Sequence, residues 1–262
     1  MLQDLTFLLL KLIVNKLDNC VKKSVMIVLS EAYEELREHF CPPSERVDCR
    51  DVEGTVCYLD PESETLLRER LSPVRGAFLR WIDSGDFHYL SYFACRRIGR
   101  PYALVLLDHH PDMQPPVFPG VLSCGGWVRA LLDGDPYLQK VMIVGIAPGL
   151  MEETKGYGER VQAWPEGSFP QSFATGLPVF LSIDKDVLNR DYARTDWDQG
   201  TMTLEEMEAV VKAVFARNKV LGTDICGELC RSKGGRDEDL EINAFTNNCL
   251  LNLITAAFCD NL

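Results

Sequence analysis

Five short apolar runs punctuate the chain: Val25–Leu29, Ala103–Leu107, Val141–Ile146, Val179–Ile183 and Val220–Ile225. They are rich in β-branched residues and show no polar alternation, the pattern of strands covered on both faces in a parallel sheet. Between them the spacing turns helical. Pro61–Leu71 follows Asp60, suited as an N-cap, and places proline in the first turn. Tyr89–Ile98 follows His88, and Gly126–Leu132 is a further helix candidate. Leu204–Ala216 opens with Thr203 and carries Glu206 three residues on, a capping box. Strands alternating with helices predict βαβ units on an open twisted sheet. Pro42–Cys57 and the Pro/Gly-rich stretch Gly149–Pro178 read mostly as loop. With no internal repeat or low-complexity linker, one α/β domain over residues 25–262 is the simplest reading.

Residues 1–24 stand apart as an N-terminal helical extension, with an amphipathic helix expected over residues 3–19. Its apolar core is short and is broken by Lys11. It begins with Asp4 and no basic residue, the reverse of a signal peptide. It also falls short of the roughly 20 apolar residues that a membrane span needs.

Composition narrows the classes further. The 262 residues carry a formal charge of −12, which argues against a nucleic-acid-binding surface. Neither nucleic acid nor membrane is an expected partner. The ten cysteines are irregularly spaced, and several lie inside apolar runs. Cys226 and Cys230 form a CxxxC with no second pair to complete a zinc site. Reduced thiols in a cytoplasmic protein are the expectation.

In open α/β sheets, ligands gather at the carboxyl ends of strands, so the residues just after each apolar run carry the chemistry. These are Asp108-His109-His110-Pro111-Asp112, Asp184-Lys185-Asp186 and Cys226-Gly227-Glu228. Gly85-Asp86-Phe87-His88 precedes a predicted helix. Three of the four histidines fall within Phe87–His110, and His39 reads as a solvated helix residue. In an extended chain, residues two apart share a side. That groups Asp108, His110 and Asp112, with His109 opposite, and Pro111 biases His110 toward extended geometry. Asp184 and Asp186 are paired in the same way. The two groups can meet if their strands are neighbours.

Either motif alone is weak, because aspartates at strand ends often cap helices. Together they pose an electrostatic problem. At an effective dielectric of about 20, two like charges ~4 Å apart cost on the order of 4 kcal/mol. Two divalent cations would balance four carboxylates. An oxygen-rich donor set with few imidazoles favours Mn²⁺ or Mg²⁺.

LDHHPDM (107–113) and SIDKDVL (182–188) resemble the paired metal motifs of the ureohydrolases, the arginase and agmatinase superfamily. GDFHYLSY (85–92) resembles the segment that supplies that family's upstream histidine, and GTDICGE (222–228) its penultimate strand. The resemblance spans roughly residues 80–260. It implies a three-layer αβα sandwich with a mostly parallel sheet of about eight strands and two manganese ions. One ion would take His88, Asp108, Asp112 and Asp184; the other would take Asp108, His110, Asp184 and Asp186. A metal-bridging hydroxide would attack the central carbon of a small guanidino or amidino substrate. Asp112 would accept a hydrogen bond from that hydroxide, and the intermediate would collapse to urea and an amine.

The departures are specific. Asn189-Arg190 replaces the family's Asp-Pro, and Ser123–Gly126 lacks the proton-shuttling histidine. The family's substrate-orienting glutamate falls on Gly227, one residue before Glu228. Glu228 becomes the candidate for that role if the strand end bulges. Gln114 stands where arginase has an asparagine, which makes arginine itself an improbable substrate. Cys124 lacks an evident histidine partner for nucleophilic work. The remaining alternatives are a zinc deacetylase-like amidohydrolase and a non-catalytic metal-binding relative. The family also implies a possible homo-oligomer.

Overall fold

The computed structural model describes residues 24–42, 44–74 and 76–260. The expected helix over residues 3–19 lies outside the described residues. Eight strands build one sheet: β1 (Ser24–Val28), β2 (Glu45–Asp48), β4 (Leu79–Trp81), β5 (Tyr102–Leu107), β7 (Leu138–Ile146), β8 (Val161–Pro165), β9 (Val179–Asp184) and β10 (Val220–Cys226). Their order is β2-β1-β4-β10-β9-β5-β7-β8, and every pairing is parallel. A small antiparallel pair joins β3 (Tyr58–Leu59) to β6 (Leu122–Ser123).

Strand alternation sorts the apolar residues into two cores. From β5, Ala103, Val105 and Leu107 enter one core, while Tyr102, Leu104 and Leu106 enter the other. The first core is closed by Tyr33 of α1 (Ala32–Glu35), by α5 (Leu204–Arg217) and by α6 (Asp237–Asp260). The second is closed by α2 (Pro61–Arg70), α3 (Leu90–Cys95) and α4 (Trp127–Gly134). The result is the expected three-layer αβα sandwich. No helix among the described residues is long and apolar enough to cross a membrane.

The predicted N-terminal signals operate. Asp60 accepts from the backbone N–H groups of Glu62 and Ser63, and Thr203 with Glu206 closes a full capping box. Three strands depart from the apolar pattern. β2 and β8 lie in stretches that read as loop, and both are edge strands with exposed or half-buried positions. β4 has only three residues and carries the buried Arg80. The longest helix, α6, also has no clear amphipathic signature, because it buries Asn243, Thr246 and Asn247 beside its aliphatic residues.

Candidate metal centre

The sheet order makes the two acidic motifs neighbours. β5 lies against β9 with Leu107 opposite Ile183, so Asp108 and Asp184 leave adjacent strands side by side. On the far flank of β9, Cys226 stands opposite Asp184. His88 arrives from the 3₁₀ turn Gly85–Phe87 that follows β4.

Each central aspartate divides its labour between its two oxygens. Asp108 Oδ1 accepts from His110 N at 2.7 Å, and Asp184 Oδ1 accepts from Asp186 N at 3.0 Å. These bonds fix the strand-end turns and turn each Oδ2 toward the cluster. His88 Nδ1 lies 3.2, 3.0 and 3.5 Å from oxygens of Asp108, Asp112 and Asp184. Its other nitrogen, Nε2, is held by Ser182 Oγ at 2.8 Å. A contact there fixes the ring orientation and the tautomer. Beyond Ser182, Ser91 Oγ lies at 3.2 Å and donates to Asp224, which pairs with Arg80 at 2.5 Å. On the other side, His110 Nδ1 meets Asp186 Oδ2 at 2.8 Å. Asp112 Oδ2 accepts from Trp127 Nε1 at 2.5 Å.

Asp112 reaches the cluster by a different route from the expected extended chain. The backbone bends at His109-His110, and Asp112 adopts a left-handed φ of 52°. The expected sorting by side still describes the outcome. Asp108, His110 and Asp112 line the cavity, whereas His109 bonds Gly145 O at 3.3 Å and gives its N–H to Asp186.

The electrostatics are those of surplus negative charge. Burial pushes the Asp184 carboxyl up to about 7, helped by Asp186 and Asp108. Burial together with Asp108 lifts Asp186 to about 6. Burial also raises Asp112, against the pull of His88. For the histidines burial works downward, but their acidic neighbours outweigh it. Asp108 and Asp186 hold His110 up to about 12; Cys226, Asp108 and Asp112 hold His88 well above its ordinary value. The donor atoms of His88, Asp108 and Asp112 lie within 4.8 Å of one another, as do those of Asp108, His110 and Asp186. Asp108 is common to both sets. Its Oδ2 is buried and accepts no hydrogen bond, although His88 Nδ1 stands 3.2 Å away. A buried unpaired carboxylate oxygen at the shared vertex of two such sets fits a pair of divalent cations.

The cavity over the cluster has a volume of about 30 Å³, room for ions and a water or two. Gln114, Cys124, Leu150, Glu153 and Trp197 shape its mouth. Glu153 was hidden in a stretch that reads as loop; its Oε2 is buried without a partner, and burial raises its carboxyl. Its position shortly after β7 was the only available signal. Trp197 donates to Asp86 at 3.1 Å, and Asp86 also holds Lys233, which pairs in turn with Asp196. Cys124 is pressed against Cys57, which together with burial holds its thiol far up, so it is not an activated nucleophile. Phe118 is 64% exposed and does not line the cavity.

Glu228 is not brought to the cavity. It is buried against Lys185 Nζ at 2.7 Å and accepts from Asn247 Nδ2 at 2.7 Å. The turn at Gly227 accounts for this. Its φ is +94°, and a Cβ there would sit 2.7 Å from Asp184 Oδ1. Only glycine suits that position, and the chain turns Glu228 away beneath the site.

No protein-family model matches the sequence. An uncharacterised protein of Thermotoga maritima is 36% identical over 171 residues, covering 64% of this chain. The match spans 62% of that relative's length, less than two thirds. Among solved structures, proclavaminate amidino hydrolase from Streptomyces clavuligerus superposes with a TM-score of 0.66 at 17% identity, covering 90% of this chain and 92% of that one. Formimidoylglutamase from Bacillus subtilis gives 0.64 at 16%, covering 89% and 86%. The agmatine ureohydrolase of Thermoplasma volcanium gives 0.63 at 12%, covering 93% of each chain. With its eight parallel strands between two helical layers, the chain shares the arginase-like αβα fold of these structures.

Proposed function

We propose that this chain is a divergent ureohydrolase, cleaving a non-peptide C–N bond in a small guanidino or amidino compound at a centre of two divalent cations. His88, Asp108, Asp112 and Asp184 would hold one ion; Asp108, His110, Asp184 and Asp186 would hold the other. The oxygen-rich set favours manganese on the His110 side. When bound, the ions would acidify a water and polarise the carbon it attacks.

The chain's own groups divide the remaining work. Ser182 holds His88 so that Nδ1 faces the carboxylates. Trp127 fixes the Asp112 carboxylate, and Asp112 would accept the water's proton and return it to the departing amine. Glu153 would take over the task expected of Glu228, holding the cationic end of the substrate with its unpaired oxygen. Trp197 and Leu150 would flank the substrate's apolar part. Gln114 would read its far end. The small cavity would take the ions, with the substrate at its mouth.

The observation that carries this reading is the buried, unpaired Asp108 Oδ2 at the vertex shared by two ligand sets. The test is urea or ammonia release from a panel of guanidino and formimino compounds, with metal content measured on the same sample. Release with close to two ions per chain supports it. No release from a fully loaded protein would make the chain a metal-binding relative without turnover.

A further inference from the structure

The proposed function gives six strand-end or turn residues a task as ligands and leaves Cys226 without one. Cys226 is the last residue of β10, opposite Asp184 in the sheet register. Its Sγ lies 3.1 Å from Asp184 Oδ2 and it is 1% exposed. The donor atoms of His88, Asp184 and Cys226 all lie within 4.8 Å of one another. We infer that Cys226 is a sulfur ligand to the cation on the His88 side, so that this position takes a thiophilic divalent ion such as Zn²⁺ or Co²⁺ in preference to manganese.

The inference rests on the metal-centre reading above and deepens it. Strand register, rather than a loop, places the sulfur, so its position is fixed to the same degree as that of Asp184. His88 is turned to the same space by Ser182. The unpaired Oδ2 of Asp108 faces that space too, 3.2 Å from His88 Nδ1. Cys226 joins His88, Asp108, Asp112 and Asp184, adding one sulfur to one nitrogen and three carboxylate oxygens, all buried. On the other side, Asp108, His110 and Asp186 supply no sulfur. A thiolate selects soft metals, whereas carboxylates suit manganese. The centre is therefore asymmetric, with a softer position beside His88 and a harder one beside His110. Ligation moves the thiol proton to solvent. The nearby Cys230 does not join Cys226; its Sγ meets Ser232 Oγ at 3.0 Å.

The test strips the full chain with a chelator and reloads it with Co²⁺. The expected result is an intense near-ultraviolet sulfur-to-cobalt charge-transfer band. That band disappears in Cys226→Ser and persists in Cys124→Ser, which controls for the thiol at the cavity mouth. Zinc K-edge absorption of the wild-type chain needs no variant, and should show a sulfur neighbour at about 2.3 Å beside shorter N/O neighbours. In zinc–manganese competition, Cys226→Ser should lower the preference for zinc by at least roughly tenfold. Cobalt or zinc bound with no sulfur signal would overturn the inference, leaving Cys226 a hydrogen-bond donor to Asp184 and the two-ion centre intact. A chain that binds no cation at all would sink the centre itself, and this inference with it.

Discussion

Two groups of buried charge lie within a few residues of each other and behave as opposites. Lys185 and Glu228 form a fully buried ion pair, 0% and 1% exposed, bridged by Asn247, which leaves only Glu228 Oε2 without a hydrogen bond. One residue away along β9, Asp184 belongs to a cluster of four carboxylates with two imidazoles. The first group carries its own counter-charge from the chain and neutralises itself. The second is short of positive charge, and its carboxyls are pushed up accordingly. Buried charge balanced from within holds a structure together; buried charge left in deficit makes a candidate binding site.

Four substitutions or conditions test that contrast. Asp184→Asn should reduce metal below full occupancy and lower hydrolysis at least about 10³-fold, about 4 kcal/mol in barrier. The metal-free Tm should hold or rise, because surplus charge has been removed; complete occupancy in this variant would refute the ligand assignment. Lys185→Met should do the reverse. Stranding Glu228 costs about 3–5 kcal/mol, close to 10 °C in Tm for a chain of this length, with or without metal. A thermal melt that leaves Tm unchanged would show that the pair is not structural.

The third test is pH. Asp184 titrates near 7 and Asp186 near 6 when folded, against about 3.9 unfolded. A raised carboxylate favours the folded state at low pH and loses that advantage as pH climbs through the folded value. His110, raised to about 12 from its ordinary 6.5, works in the same direction, losing stabilisation above about pH 6.5. The metal-free protein should therefore melt about 5 °C lower at pH 8 than at pH 5, and saturating cation should shrink the gap. Melts that rise with pH in chelator would contradict the charge-deficit account. The smallest effect is expected of Glu153→Gln: a KM raised roughly tenfold, near 1.4 kcal/mol, with kcat little changed. A kcat loss at constant KM would instead place Glu153 in the chemical step.

The central strands were legible because being covered on both faces demands unbroken apolar runs. The edge strands β2 and β8 were not, since a half-solvated edge accepts Glu45, Arg46 or Gln162 without penalty. α6 escaped because Asn243, Thr246 and Asn247 occupy inward positions that a periodicity argument expects to be apolar. In the site, the two-residue spacing of Asp184 and Asp186 and of Asp108, His110 and Asp112 survives into the structure. Glu228 lies away from the cavity for a local reason, the left-handed turn at Gly227, which nothing in the residue order announces. Glu153 comes from a short 3₁₀ helix (Pro148–Thr154) and Trp197 from an irregular segment, where the chain direction that aims a side chain is set by tertiary packing.

The strand register has a consequence for how the centre assembles. Asp108, Asp184 and Cys226 sit at the tips of three adjacent strands, and a slip of one residue would send any of them to the opposite face of the sheet. A misaligned β9 thus presents no complete set of donors. On the proposed ligand set, cations present during folding would favour the one alignment in which all three tips meet.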